Sequence, residues 1–128
     1  MKIKLRKIIY WTLTIIVALI FIGSAMGKLI SGEQSQQMAK MLGGEKNLII
    51  LGVIEIFIAL LWIIPRTGVI GTILGASYLG GAIAVHFINN ESIIAPLVIQ
   101  IILWVSAFYR YPEFWQRLIY NIKTTDIN

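Results

Sequence analysis

Asn47–Ile64 reads NLIILGVIEIFIALLWII, and after Pro65-Arg66-Thr67 a second apolar run, Gly68–Ile88, reads GVIGTILGASYLGGAIAVHFI. These two runs decide the fold. At 1.5 Å rise per residue the first reaches roughly 27 Å, most of a hydrocarbon core about 30 Å thick. Glu55 is its one ionisable residue and lies near its middle. A charged group at that depth costs about 2.5–3.5 kcal/mol on insertion scales, so by default it marks a functional site. The second run closes near His86, the single histidine of the chain.

Composition agrees with a membrane solvent. Of 128 residues, 58% are hydrophobic and 13% charged, with a mean hydropathy of +0.82. A soluble domain is nearer a quarter charged. The reading is an integral membrane protein forming a single domain over residues 1–128. The first apolar run follows a basic stretch, as in a signal peptide. It is longer than a typical signal core and lacks a small-x-small cleavage site, so it reads as a retained span.

The chain has no cysteine. That excludes a disulfide, a thiolate nucleophile, a cysteine-held iron–sulfur cluster and a CxxC redox pair. One histidine excludes a haem with two axial histidines, and one His with one Glu is no ligand set, so no metal is expected.

Working outward, the spans fall at about 8–29, 47–64, 68–88 and 92–109. The fold class is all-α: an integral membrane four-helix antiparallel bundle. Ser31–Lys46 is the longest polar loop, with a short amphipathic helix expected near Gln36–Leu42. Asn89-Asn90-Glu91 makes a tight turn, and Pro96 falls in the first turns of the last span, where a missing N–H costs least. Pro112–Asn128 reads as a short interfacial helix and a frayed end. Trp11, Trp62, Trp104 and Trp115 read as interfacial belt residues.

Four spans put both termini on one side. Lys2, Lys4, Arg6, Lys7, Arg66, Arg110, Arg117 and Lys123 fall on that side, and Lys28, Lys40 and Lys46 on the other. The positive-inside rule makes both termini cytoplasmic, in a multi-pass protein of the cell membrane. The formal charge of +5 is thereby assigned to topology, and no nucleic-acid partner is expected.

Helical spacing sorts the remaining polar and small residues onto faces. Gly68, Gly71, Gly75, Tyr78, Ala82 and His86 form one stripe, in which Gly71 and Gly75 let a neighbouring backbone come close. Gly52 and Ala59 share the face of Glu55. Phe21, Ser24, Ala25 and Lys28 share a side of the first helix, and Pro96, Gln100, Leu103 and Ala107 a side of the last. Glu55 and Gln100 lie roughly 10–12 Å below the outer ends of their helices. Lys28 and His86 lie about one turn or less from that surface, within reach for a lysine stem. Lys28, Glu55, Tyr78, His86 and Gln100 are therefore expected to line one polar pocket in the outer half, as a ligand-binding set. Glu55 and His86 are its catalytic candidates.

Each of these residues has a plainer reading that the sequence leaves open. Glu55 can be a structural carboxyl paired with Lys28, and Lys28 a snorkelling lysine at a helix end. His86 can cap a turn, and Tyr78 and Gln100 can be hydrogen-bonding glue between helices.

Taken together, SAMGKL at Ser24–Leu29, LGVIEIFIALLWIIP at Leu51–Pro65 and TGVIGTILGASYLGGAIAVHF at Thr67–Phe87 resemble the DoxX-like family of small four-helix membrane proteins. The resemblance runs from about Tyr10 to Tyr109 and maps a family lysine, glutamate and late histidine onto Lys28, Glu55 and His86. It implies quinone-dependent redox work alongside other membrane or redox subunits. More distant relatives imply an assembly chaperone for membrane receptors. Without cysteine, this chain would supply a quinone pocket and the electron source would lie elsewhere.

The first expectation is thus a redox-type membrane protein that binds a quinone or similar lipophilic ligand. Glu55 and His86 would handle protons, and Lys28 would orient a carbonyl or anion. The alternative is a non-enzymatic membrane scaffold or assembly module. A small transporter ranks last, because four short helices leave little room for a pore unless the chain forms a homo-oligomer.

Overall fold

The computed structural model describes residues 2–30 and 32–119. The expectations placed on Ser31, on Lys123 and on the tail beyond Ile119 lie outside the described residues. Among those described, all regular structure is helical: α1 Lys2–Leu29, α2 Glu33–Leu42, α3 Glu45–Ile63, a 3₁₀ turn at Pro65–Thr67, α4 Gly68–Ile88, α5 Ile94–Arg110 and α6 Pro112–Ile119.

Helix limits follow local chemistry. α1 begins six residues before the expected start, because Lys and Arg are good helix formers and neither Pro nor Gly interrupts them. The basic cluster is thus helical and exposed. α2 carries Glu33 in its first turn and Lys40 in its last, each at the end of the helix dipole that favours it. It stops at Gly43, whose φ of 90° is left-handed and suits glycine. Asn47 Nδ2 donates to the Leu42 carbonyl at 2.7 Å across that turn. α3 ends because Ile64 precedes Pro65 and is held extended. α5 and α6 meet at Tyr111 with a bend of 108°, where Pro112 cannot continue the α5 hydrogen-bond ladder.

α1, α3 and Pro65–Ile88 are each long and apolar enough to cross a membrane, with mean hydropathies of 2.2, 2.2 and 1.7. The bent pair α5 and α6 makes a fourth candidate if it is one span.

The packing of these helices is that expected in lipid rather than water. Ile15, Ile16, Leu19, Ile50, Phe57, Ile70, Ile73 and Ile101 are exposed, while the buried faces hold Thr14, Ala18, Ala25, Gly52, Ala59, Gly71, Thr72 and Gly75. Lipid tails are as apolar as leucine, so burying leucine between helices gains little and close backbone approach gains more. α1 packs on α3, α3 on α4, α4 on α5 and α5 on α1. Neighbours run in opposite senses: Thr14 meets Trp62 while Lys28 meets Glu55, and Gly75 faces Leu103 while Gly68 faces Tyr111.

The glycine stripe of α4 does what its spacing predicts. A Cβ on Gly71 would sit 2.6 Å from the Trp62 backbone nitrogen, so α3 and α4 touch backbone to backbone there. A Cβ on Gly75 would meet Leu103, Phe21 and Ile58 at 3.2–3.5 Å, which places those three side chains in one layer at the middle of the core.

Candidate functional site

One helical turn from that layer, toward the end where α1 joins α2, stand Ser24 from Phe21, Glu55 from Ile58, Tyr78 from Gly75 and Gln100 from Leu103. Each is three residues from its layer partner, later in the chain on α1 and α4 and earlier on α3 and α5. Antiparallel neighbours and 3.6-residue periodicity thus bring four polar side chains to one depth from four helices.

Glu55 is 2% exposed. Its Oε1 accepts from Lys28 Nζ at 3.0 Å and from Ser24 Oγ at 2.9 Å. Lys28 Nζ also donates to Ser24 Oγ at 2.8 Å, which closes a triangle between α1 and α3. Lys28 and Ser24 are four residues apart on α1, so both reach the same carboxylate oxygen. The Tyr78 phenol stands beside the carboxylate, and Lys28 Nζ lies 6.0 Å from the centroid of its ring. Burial makes the ion pair a constraint as well as an attraction: the charges are out of water, so each needs the other. Among the described residues, no other ion pair forms.

Two acceptors in this layer have no donor within strict hydrogen-bond geometry among the described residues, Glu55 Oε2 and Gln100 Oε1, and the Tyr78 phenol is the further protein donor standing beside the Glu55 carboxylate. Gln100 spends its amide on the Ala76 carbonyl at 3.2 Å, which ties α5 to α4 and leaves its oxygen free. A buried acceptor without a donor costs about 1–3 kcal/mol, so each unmet oxygen needs a physical account.

Of the five expected pocket residues, the structure gathers Lys28, Glu55 and Tyr78, and sets Gln100 in the same layer. His86 stands about 12 Å further along α4 than Tyr78. Its Nδ1 lies 2.7 Å from the Ala82 carbonyl, so the ring binds its own helix rather than the Glu55 cluster. Sequence reasoning put Ser24 on the face of Lys28 but did not count it as a site residue. Its signal was the i, i+4 spacing to Lys28.

A separate cleft of about 460 Å³ opens where α1 passes to α2, lined by Met26, Gly27, Ile30, Glu33 and Ser35 among others, and none of the expected site residues borders it. Among the described residues, no three acidic or histidine side chains gather as a metal site would need.

Trp62 requires a correction. Its place near a helix end suggested a belt residue, but it is fully buried, donates from Nε1 to the Thr14 carbonyl at 3.0 Å and belongs to the core. The reason is the Gly71 contact, which brings α4 over the Trp62 backbone and closes that end of the molecule.

Three apolar helices, two of them joined by a lysine–glutamate pair whose carboxylate is buried, define a small helical membrane protein. The chain belongs to the DoxX-like family, whose model matches residues 12–108. That match spans Ser24, Lys28, Glu55, Tyr78, His86 and Gln100. No curated protein and no solved structure matches the chain.

Proposed function

We propose that this protein binds a lipophilic ligand with hydrogen-bond donors on its head group, of the quinone and quinol type, as a subunit of a membrane redox system. The observation that carries the reading is the pair of buried acceptors without donors, Glu55 Oε2 and Gln100 Oε1, in one layer. A head group with two hydroxyls satisfies both, and an apolar tail suits the surrounding lipid. Lys28 and Ser24 hold Glu55 in place through its other oxygen. Tyr78 supplies a phenol for a carbonyl of the oxidised form. The two carbon-bound oxygens of such a ligand gain and lose protons as it is reduced and oxidised, which matches a carboxylate as partner.

In this reading α1, α3, α4 and α5 form a four-helix antiparallel bundle in the cell membrane, with both termini cytoplasmic. The loop charges favour that orientation, because Lys28 is paired with Glu55 and leaves Lys40 and Lys46 on the far side. The native chain lacks cysteine, so a single introduced thiol reports its own side. Arg66→Cys should label only with membrane-permeant maleimide in intact cells, and Lys40→Cys also with an impermeant one. The reverse pattern refutes the orientation.

The ligand reading is tested by native mass spectrometry and lipid extraction of the purified protein, run in parallel for Glu55→Gln. The wild type should carry a quinone-class lipid, and the variant should lose most of it while keeping its helical circular dichroism. The Lys28–Glu55–Ser24 triangle also favours a second reading, an assembly module braced by its polar core. If the wild type carries phospholipid alone and the variant only melts earlier, that second reading stands and ligand binding is discarded.

A further inference from the structure

At the opposite end of the molecule lies a second polar group that the ligand reading does not use. Arg110, the last residue of α5, is 5% exposed. Its guanidinium carbon lies 4.2 Å from the ring centroid of Trp62, 4.9 Å from that of Tyr10 and 5.1 Å from that of Tyr111. The walls of this cage are fixed. Trp62 is anchored on the Thr14 carbonyl. Tyr111 donates to the Pro65 carbonyl at 3.0 Å, lying where any side chain on Gly68 would have to go.

Aromatic faces satisfy the flat sides of a guanidinium. They do not satisfy the N–H groups, which point outward in its plane. Among the described residues only Nη2 has an acceptor, the Tyr10 hydroxyl, at a long 3.5 Å. Nε and Nη1 are buried without one. Glu113, the acidic residue nearest in sequence, is exposed and forms no ion pair with Arg110. A cation held out of water is costly without a counter-ion, and among the described residues this one has none and is held by pre-set walls.

We infer that Arg110 and its aromatic cage form a site for a phosphate oxyanion, supplied by the head group of an anionic phospholipid. The basic residues around this end fit the same ligand. Lys2, Lys4, Arg6 and Lys7 are exposed on the first turns of α1, and Arg66 on the turn before α4. They draw anionic lipid to the surface, worth about tenfold or less per charge and screened by salt. Arg110 then makes the specific contact through its planar donors, as arginine does with phosphate. The α5–α6 elbow lies beside the cage, where α6 turns aside from α5 at Tyr111 by 108°. This site is independent of the ligand proposed at Glu55, because it involves none of the same residues.

The test reconstitutes the full chain in nanodiscs of mixed phosphatidylcholine and phosphatidylglycerol, then counts retained phosphatidylglycerol by native mass spectrometry after detergent release. The wild type should retain it in preference to phosphatidylcholine. Arg110→Gln should lower that retention on the order of tenfold, the value of one or two charge-assisted hydrogen bonds. Arg110→Lys, which keeps the charge without the planar fork, should fall between them. A combined Lys2→Gln and Lys4→Gln variant, which leaves the cage intact, should lose retention at low salt and match the wild type at high salt, whereas the Arg110→Gln loss should persist at high salt. Equal retention in the wild type and Arg110→Gln overturns the proposal.

A measurement on the wild type alone covers the case in which Arg110→Gln does not fold. Phosphatidylglycerol micelles should raise the melting temperature above that in phosphatidylcholine at matched ionic strength. A rise with inorganic phosphate and none with phosphatidylglycerol would make free phosphate the source instead of lipid. No rise with either refutes the site.

Discussion

Lys28→Met is expected to destabilise the protein by about 3–5 kcal/mol, the usual cost of removing one partner from a buried ion pair. Glu55 is 2% exposed, so water cannot replace the ammonium. Ser24 Oγ would remain as the one donor to Oε1. The double variant Lys28→Met with Glu55→Gln removes both charges and should recover most of the loss, because exchanging a whole buried pair for neutral groups is often close to neutral. The measurement is a double-mutant cycle of thermal unfolding in one detergent. Near-additive losses would show that the two side chains do not depend on each other, and the triangle between α1 and α3 would then have no energetic weight. The same cycle separates the two readings of the site. Ligand retention that follows the presence of Glu55 while stability recovers in the double variant belongs to a binding site. Retention that follows stability alone belongs to a brace.

Trp62→Ala should cost about 3–5 kcal/mol, as truncation of a fully buried aromatic does. Three consequences add together. A cavity opens beside the Gly71 contact, where α3 and α4 approach most closely. The bond from Nε1 to the Thr14 carbonyl, which ties α3 to α1, is lost. Arg110 also loses the ring 4.2 Å from its guanidinium and with it one wall of its cage. Trp62→Phe keeps most of the volume and an aromatic face, and should cost only about 1–2 kcal/mol. Melting temperatures of the two variants check this ordering. Similar small shifts for both would mean that Trp62 sits at a forgiving, lipid-like surface, as a belt residue would.

Much of the fold was legible because membrane helices announce themselves by length and apolarity. The limits of α4, Gly68–Ile88, were readable to the residue, since Pro65 and the Asn89-Asn90 turn bracket them. α1 was read six residues short because hydropathy marks where lipid begins, not where a helix does. Lys2–Lys7 continues the same helix outside the apolar stretch. α2 was foreseen only in its later part: its start depends on a Gly32–Ser35 backbone turn, with Ser35 Oγ accepting from the Gly32 N–H at 2.8 Å, that composition does not signal.

For the site, the sequence by itself determined that Glu55 is buried at mid-helix and that Lys28 is near enough to matter. One carboxylate among apolar residues has few affordable places, and helical periodicity sets its face. The same periodicity grouped Lys28 with Ser24, and Glu55 with Gly52 and Ala59. What only the tertiary structure decided is which faces meet and at what depth. His86 shares a stripe with Tyr78, yet its ring bonds to its own helix at Ala82. Arg110 and Trp62 read as ordinary end-of-helix residues, yet they close on each other. The physical reason is that periodicity is a property of one helix, whereas burial and charge pairing are set by crossings between helices. Those crossings depend here on where Gly71 and Gly68 let a neighbour approach.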